Sequence, residues 1–476
     1  MDMDREASVD AYIDEVWDDV LTDIGALVAY ASVADRAQAA PGAPFGPEVR
    51  SALDCALGIA ERLGYKVSDD DGYVGMADIP GERPEQLATI AHVDVVPAGP
   101  GWNGDPFSME RREGWLIGRG VIDDKGPAVL GLYAGAYLLR HGITPRYTFR
   151  ALLGCDEEVG MTDVHHYLEG HPQPAFLFTP DAEFPVCNAE KGQLGGTFLS
   201  APVEGGCILS WSGAEAGNAI PGESELVLGI DASELPVPRA NVERLSAEPL
   251  GPGRTRIFAK GIGGHASLPA GSLNAIGLIV TYLREALAQN PDLLAPAERD
   301  FVKLLGYLTA DTDGRAAGIA SESPAFGPLT LNAGTIRVRE DGRLEQGIDV
   351  RYPDSTDVPT MRTALEALAA SHGCTFELGR AKEPFSTSAD SPAVRALIAA
   401  YSEVTGKDAV PFSMGGGTYA RNFERAVSFG PEENDLVLPE WGGPMHGPNE
   451  VANEALLKQA LKIYILAILR LQEAEL

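Results

Sequence analysis

Five short segments of the sequence concentrate carboxylates and imidazoles of the kind that bind divalent metals. They lie at Ala91–Asp94, Gly118–Pro127, Cys155–Gly160, Thr179–Glu183 and Pro444–Glu450. Together they supply two histidines and more than three carboxylates, a donor set that suits a hydrolytic centre with two ions about 3.5–4 Å apart. No segment is decisive alone, because acidic turns and hydrogen-bonded histidines are common in proteins that bind no metal.

The first segment places His92 two residues before Asp94, directly after an apolar run that is typical of a strand. Two residues apart in an extended chain, their side chains point to the same side. The carboxylate could then fix the tautomer of a metal-bound imidazole. A hydrogen-bonded core histidine explains the same pair without a metal.

The next two segments carry the acids. Asp123 follows a Gly-rich turn, where its two oxygens could bridge two cations or the residue could cap a helix. Asp156, Glu157 and Glu158 are successive acids at a strand end and repel one another unless a cation lies among them. One of them could hold a metal while its neighbour deprotonates a water molecule, and a solvated acidic turn is the alternative.

The last two segments carry Asp181 at a strand end and His446 in a loop before the closing helix. An ordinary turn or cap residue accounts for each of them when it is taken alone. We predict that Asn449 is the N-cap of the closing helix, because asparagine is favoured at that position.

The composition predicts a globular protein of two domains and argues against some partners. The chain has 476 residues, with 37 Lys+Arg against 69 Asp+Glu and a formal net charge of -32. Such a surface repels nucleic acids and anionic membranes, so neither is an expected partner. The five cysteines are scattered and include no CxxC pair. They predict reduced thiols in a cytoplasmic protein, and a metal held by oxygen and imidazole.

Apolar runs that alternate with helical stretches predict an α/β domain. The predicted strands are Leu87–Ala91, Tyr147–Leu153, Ala175–Phe178 and Ala426–Ser428, and the predicted helices are Pro47–Leu63, Gly126–Leu139, Asp163–Leu168, Pro392–Val404 and a closing helix from Asn449. Three of the five segments then follow the carboxyl ends of strands, where open α/β sheets bind their ligands.

Between residues 193 and 384 the pattern changes to antiparallel strands with two predicted helices, Asn274–Ala288 and Val358–Ala370. We therefore expect a discontinuous α/β catalytic domain, residues 1–192 and 385–476, in which helices flank a mixed sheet. Residues 193–384 are expected to form an inserted α+β lid domain.

Nine segments in this order resemble the zinc aminoacylase/carboxypeptidase G metallopeptidase family, in its dipeptidase V and Xaa-His dipeptidase-like branch. The segments are HVDVVPAGPGWNGDPF (92–107), GRGVIDDKGP (118–127), DEEVG (156–160), TPDAEFPV (179–186), GNAIPG (217–222), GGHAS (263–267), IDVRYP (348–353), GGGTYAR (415–421) and MHGPNE (445–450). They extend over most of the chain, which makes a chance match very improbable.

The resemblance implies two Zn²⁺ per chain, with Mn²⁺ or Co²⁺ as substitutes. Asp123 bridges the two ions, His92 and Asp181 complete one site, and Glu158 and His446 complete the other. Glu157 is the general base and Asp94 orients His92. From the lid, the resemblance assigns His265 to the oxyanion and Asn218 and Arg351 to the substrate. It also assigns Gly416, Gly417 and Thr418, which lie outside the lid, to the substrate.

The resemblance also implies a function: hydrolysis of dipeptides with a free N-terminus, through a zinc-bridging water and the Glu157 base. Deacylation of N-acyl or N-succinyl amino acids on the same centre is the alternative. A metal-binding scaffold without activity is a third reading, against which the intact Glu157–Glu158 pair counts. The large lid predicts a monomer, with a homodimer as the alternative, and a small peptide as the partner.

Overall fold

The computed structural model describes residues 3–433 and 435–476, and these divide into two compact units. The first unit comprises the chain up to Asn188 together with Ser386–Phe412 and Gly417–Leu476. The second comprises Ala189–Phe385 and the short segment Ser413–Gly416. Each unit has its own hydrophobic core.

The helices agree closely with the periodicity of the sequence where local signals mark their ends. They are α1 (Met3–Val28), α2 (Pro47–Leu63), α3 (Lys125–Arg140), α4 (Thr162–Gly170), α5 (Ala275–Gln289), α6 (Pro296–Leu308), α7 (Val358–Ser371), α8 (Pro392–Thr405) and α9 (Glu454–Glu473). Helix α2 has Pro47 in its first turn and ends at Gly64, whose left-handed backbone is the usual helix stop. Helix α6 was not predicted.

The strands form several sheets. They are β1 (Lys66–Asp70), β2 (Val74–Ile79), β3 (Arg83–His92), β4 (Glu110–Arg112), β5 (Trp115–Ile117), β6 (Tyr147–Gly154), β7 (Phe176–Thr179), β8 (Ala182–Glu183), β9 (Cys187–Glu190), β10 (Gly192–Leu199), β11 (Ile208–Ser212), β12 (Ala219–Ile220), β13 (Glu223–Leu228), β14 (Leu245–Gly251), β15 (Arg254–Lys260), β16 (Gly264–His265), β17 (Glu322–Ser323), β18 (Gly327–Pro328), β19 (Thr330–Val338), β20 (Leu344–Tyr352), β21 (Thr375–Lys382), β22 (Phe385–Ser386), β23 (Phe412–Met414), β24 (Ala426–Ser428), β25 (Pro431–Glu432) and β26 (Val451–Asn453).

The first unit is built on a mixed sheet in which β1, β2, β6, β3, β7 and β24 are neighbours in that order. Strands β6, β3, β7 and β24 are parallel, whereas β1 and β2 join antiparallel at one edge. Helix α3 is almost wholly buried and packs against β3, β6, α1 and α9. The predicted α/β class, with helices around a mixed sheet, is confirmed.

The second unit is an α+β structure. One sheet has the strand order β19-β20-β10-β21 and another has the order β11-β13-β15-β14, and all the pairs in both are antiparallel. Helices α5, α6 and α7 contribute buried residues to its core. Strands β14 and β21 were not predicted, because their alternation of buried and exposed residues is weak.

The prediction that the closing helix begins at Asn449 was wrong. Asn449 has a left-handed backbone with φ 55°, and the chain then forms β26, which pairs with β5. Helix α9 begins at Glu454, and the side chain of Asn453 caps it by accepting the N–H of Leu456. Among the described residues, no helix combines the length and the apolar character needed to cross a membrane.

Candidate metal centre

Three parallel strands bring three of the five predicted metal ligands, His92, Glu158 and Asp181, to one edge of the sheet. Strand β3 ends at His92, which is aligned with Gly154 at the end of β6. The chain after β6 carries Glu157 and Glu158, and the chain after β7 carries Asp181. Because carboxyl ends of parallel strands meet at one edge, residues far apart in sequence become neighbours there.

The first group of donors contains His92, Asp123 and Asp181. One donor atom from each lies within 4.8 Å of the others. The imidazole Nε2 of His92 is 3.0 Å from Oδ1 of Asp123, and both side chains are buried. The group therefore has the spacing and the chemistry of a site for one divalent cation.

The second group contains Asp123 again, with Glu158 and His446. Nε2 of His446 lies 2.8 Å from Oδ2 of Asp123 and 3.1 Å from Oε1 of Glu158. Asp123 thus presents one oxygen to each histidine. A single carboxylate shared between two groups of donors is the arrangement that a pair of neighbouring cations requires.

The tautomer of His92 follows from its second ring nitrogen. Nδ1 lies 2.9 Å from the main-chain carbonyl oxygen of Asp94, which can only accept, so Nδ1 carries a proton and donates it. Nε2 is then the atom left to bind a metal. The carboxylate of Asp94 is farther away, with Oδ1 3.5 Å from Nδ1. The orienting contact from Asp94 is thus made mainly by its backbone.

The Asp94 carboxylate instead holds the loop that carries the proposed base. It accepts the backbone N–H of Glu157 at 3.3 Å and that of Glu158 at 3.2 Å. The acid just before them, Asp156, accepts hydrogen bonds from Arg36 and Thr162 instead. Asp156 is thus engaged through its side chain, whereas the structure holds Glu157 and Glu158 through their backbone N–H groups.

A further buried carboxylate that the sequence analysis missed steadies the same loop. Asp163, at the start of α4, accepts the backbone N–H groups of Cys155 and Asp156 and the hydroxyl of Tyr419. Its place in the first turn of a helix would have suggested only a helix-terminal acid. Its effect is to fix the main chain immediately before Glu157.

The charges of the cluster favour bound cations. Burial and the carboxylate of Asp123 raise the pKa of Asp181 to about 7, and burial together with Asp181 raises the pKa of Glu157 well above its usual value. Burial disfavours the charged form of His92, but the hydrogen bonds that its ring makes to Asp123 and Asp94 raise its pKa well above normal. Cations bound among these buried acids would reduce the repulsion between their like charges. The oxygen and imidazole donors suit divalent ions.

His446 differs from His92 in being half-exposed. Hydrogen bonds to Asp123 and Glu158 raise its pKa to about 10. Its backbone is left-handed, with φ 62°, which is uncommon for a residue other than glycine. A structure that holds His446 in this conformation must fix the loop around it.

Four of the six residues predicted to act on the oxyanion or the substrate belong to the second unit. His265 pairs with Ala219 between β12 and β16, and the N–H of Ala266 donates to the carbonyl oxygen of Asn218. Arg351 donates from Nη1 to the carbonyl oxygen of Gly415, next to Gly416. Gly415 also packs against Ser267, close to His265, so the second unit brings together His265, Asn218, Arg351 and Gly416.

His265 has a defined tautomer. Its Nδ1 accepts the backbone N–H of Ser267 at 3.3 Å, with the Ser267 hydroxyl at 2.7 Å, so the ring proton is on Nε2. Partial burial and the charge of Arg351 lower its pKa, which favours the neutral ring. His265 thus presents an N–H donor from Nε2, as an oxyanion partner must.

Two of the residues assigned to the substrate, Arg351 and Thr418, already form hydrogen bonds within their own units. Arg351 forms a two-bond ion pair with Asp349, at 2.6 and 3.0 Å, so a substrate carboxylate would share the guanidinium with that acid. Thr418, in the first unit with Gly417, is buried and caps a short helical turn by accepting the N–H of Ala420. Their roles towards a substrate stay predictions.

A parallel-stranded sheet edge that carries two donor groups with a shared aspartate defines the class of metal-dependent hydrolases. Comparison with known proteins gives the particular family. Residues 88–470 match Peptidase family M20/M25/M40. The chain belongs to this family, and it is a metallopeptidase that uses divalent metal.

Individual relatives cover nearly the whole chain. The YtjP protein of Bacillus subtilis (strain 168) is 33% identical over 427 residues, which is 87% of this chain and 90% of that protein. The Beta-Ala-Xaa dipeptidase of Lactobacillus delbrueckii subsp. lactis is 30% identical over 471 residues, 96% of this chain and 97% of that protein. Human carnosine dipeptidase 1 has the same fold, with a TM-score of 0.61 at 15% identity over 98% of this chain and 99% of its own.

Proposed function

We propose that this protein is a two-zinc dipeptidase that hydrolyses dipeptides with a free N-terminus. The observation that carries the proposal is Asp123, whose two oxygens face two separate groups of donors. The similarity to a Beta-Ala-Xaa dipeptidase over almost the full length supports a dipeptide substrate. In this proposal His92, Asp123 and Asp181 hold one ion, and Asp123, Glu158 and His446 hold the other.

Bound there, two cations would polarise the scissile carbonyl and make a nearby water molecule more acidic. Glu157 lies beside Glu158 and belongs to neither donor group. We assign to it the proton transfers: it accepts a proton from the attacking water and returns it to the leaving amine. The Asp94 carboxylate holds Glu157 in place by accepting the backbone N–H of Glu157.

The first test of the proposal is a choice of substrate. We expect the zinc-reconstituted protein to hydrolyse an unblocked dipeptide such as β-Ala-His at least about tenfold faster, in kcat/KM, than its N-acetylated counterpart, because a free amine is the feature that defines the proposed substrate. Liquid chromatography of the released amino acids measures both rates. Preference for the acetylated compound would favour an N-acyl amino acid deacylase instead.

The second test concerns the metal. Removal of metal with a chelator should abolish hydrolysis, and addition of Zn²⁺, Mn²⁺ or Co²⁺ in turn should restore it, because an oxygen and imidazole donor set accepts all three ions. Elemental analysis of the purified protein shows which ion it retains. Turnover that persists without any bound metal would contradict the proposal.

We retain the lid assignments as part of the proposal, with His265 as the donor to the oxyanion. His265→Ala should lower kcat by about 10²- to 10³-fold with little change in zinc content, since removal of one oxyanion donor has that effect in other hydrolases. Steady-state kinetics with metal analysis measures both quantities. An unchanged kcat would exclude His265 from the reaction. Sedimentation of the active protein would test the predicted monomer.

A further inference from the structure

A buried ion pair lies where the loops that carry Asp123 and His446 meet. Nη1 of Arg119 is 2.5 Å from Oε2 of Glu450, and the two side chains are 1% and 0% exposed. Neither residue belongs to a donor group. Nevertheless, Arg119 precedes Asp123 by four residues and Glu450 follows His446 by four.

Glu450 holds the loop of the shared aspartate. Its second oxygen, Oε1, lies within hydrogen-bonding distance of three backbone N–H groups: Gly120 at 3.0 Å, Ile122 at 3.2 Å and Asp123 at 3.4 Å. The carbonyl oxygen of Glu450 also accepts the N–H of Gly118. One carboxylate therefore sets the course of the main chain up to and including Asp123.

Arg119 holds the loop of His446. Its Nη2 lies 3.3 Å from the carbonyl oxygens of both His446 and Gly447, and 3.4–3.5 Å from those of Ala98 and Pro97. These are long bonds that several acceptors share. One of them is to the carbonyl oxygen of His446, whose left-handed backbone conformation is strained and must be held by contacts with other residues.

Net stability alone does not explain such a pair. Removing two charges from water costs several kcal/mol each, and replacing a buried ion pair by apolar residues is often neutral or stabilising. What apolar residues could not reproduce is the set of bonds from one guanidinium and one carboxylate to two separate loops. The geometry therefore indicates that Arg119 and Glu450 fix the positions of those two loops relative to each other.

We propose that Arg119 and Glu450 are positioning residues that set the affinity of the ion site formed by Asp123, Glu158 and His446. The proposal rests on the proposed function, because it takes those residues as metal ligands. The other ion site depends less on the pair, since His92 and Asp181 are placed by the ends of β3 and β7. The pair thus acts more strongly on the ion whose ligands include both Asp123 and His446 than on the other ion, which shares only Asp123 with it.

The experiment titrates Zn²⁺ into the metal-free protein in competition with a chromogenic chelator, which yields two dissociation constants. For Arg119→Lys we expect one Zn²⁺ to bind about 10- to 100-fold more weakly, the usual effect of losing a partner behind a metal ligand, and the other to change less than about threefold. Lysine keeps the charge but cannot reach carbonyl groups and carboxylate together. Glu450→Gln should weaken the binding of the same ion.

Two further variants separate positioning from stability. Arg150→Lys is the matched control, because Arg150 forms a two-bond ion pair with Asp78 within the same sheet, away from the donor groups. It should leave both zinc affinities within about threefold. The double variant Arg119→Met with Glu450→Leu leaves neither charge unpaired, so it should still fold, while one Zn²⁺ binds weakly.

The outcomes are distinguishable. Wild-type protein that binds two Zn²⁺, with both single variants and the double variant binding them equally tightly, would overturn the positioning role and leave the proposed function intact. Equal weakening of both ions in all variants, Arg150→Lys included, would also overturn it. Wild-type protein that binds no Zn²⁺ would refute the proposed function and this inference together. If Arg119→Lys does not fold, the double variant decides.

Discussion

Replacement of Glu157 by alanine should lower kcat by about 10²- to 10⁴-fold, the contribution of a positioned general base, while zinc content stays near two per chain. Glu157 lies among the acids of the cluster, and burial with the charge of Asp181 raises the pKa of its carboxyl. It nevertheless belongs to neither donor group. Loss of the Glu157 carboxylate should therefore abolish proton transfer without changing the binding of metal.

Glu158, the next residue, provides the sharpest comparison for Glu157. Glu158→Ala removes a donor of the second group, so the zinc content should fall towards one per chain. An exposed acid from the same part of the chain, Glu169, serves as the neutral control, and Glu169→Ala should keep both kcat and zinc. Steady-state kinetics and elemental analysis of the three variants suffice. Full activity in Glu157→Ala would remove this residue from the mechanism.

Elements with strong local signals could be predicted from the sequence. Helix α2 has a proline at its start and a glycine just past its end, and its predicted bounds match the structure. The apolar runs of β3, β6 and β7 gave the strands that bring His92, Glu158 and Asp181 together. Once parallel strands are predicted, their common edge follows, and so does the proximity of residues that are distant in sequence.

The segment after His446 shows why local signals can mislead. Both Asn449 and Asn453 are good N-cap residues, and the sequence between them does not decide which one begins the helix. The structure uses Asn453, because Val451–Asn453 pairs with Trp115–Ile117, more than 300 residues away in the chain. A pairing of that kind is set by the tertiary fold, and no periodicity within the segment reports it.

The buried acids around the centre were the least predictable part. Asp94, Asp163 and Glu450 each collect backbone N–H groups from a loop that carries a proposed ligand or the proposed base. In the sequence Asp94 and Glu450 are acids within motifs and Asp163 is an acid outside them, and their partners are backbone groups, which every residue has. Only the three-dimensional course of the loops shows which acid holds which loop. The proposed ligands thus follow from residue type together with the family resemblance, but their supports do not.

Replacement of Asp123 by alanine should have the largest effect of any single change, because this residue belongs to both donor groups. We expect the zinc content to fall from two per chain towards zero and kcat to fall by about 10⁴-fold or more, since the loss includes metal and general-base catalysis together. His446→Ala and His92→Ala each remove a donor from one group only. Each should therefore retain about one zinc.

Asp124, the neighbour of Asp123, is the matched control for this prediction. Its carboxylate accepts the backbone N–H of His92 at 3.1 Å, and it belongs to neither donor group. Because asparagine keeps an oxygen that can accept this N–H, Asp124→Asn should retain two zinc ions per chain. Elemental analysis after dialysis against limiting Zn²⁺ measures all four variants. If Asp123→Ala still held one ion as tightly as His446→Ala does, Asp123 would not be shared, and the two-ion arrangement would have to be rebuilt around separate acids.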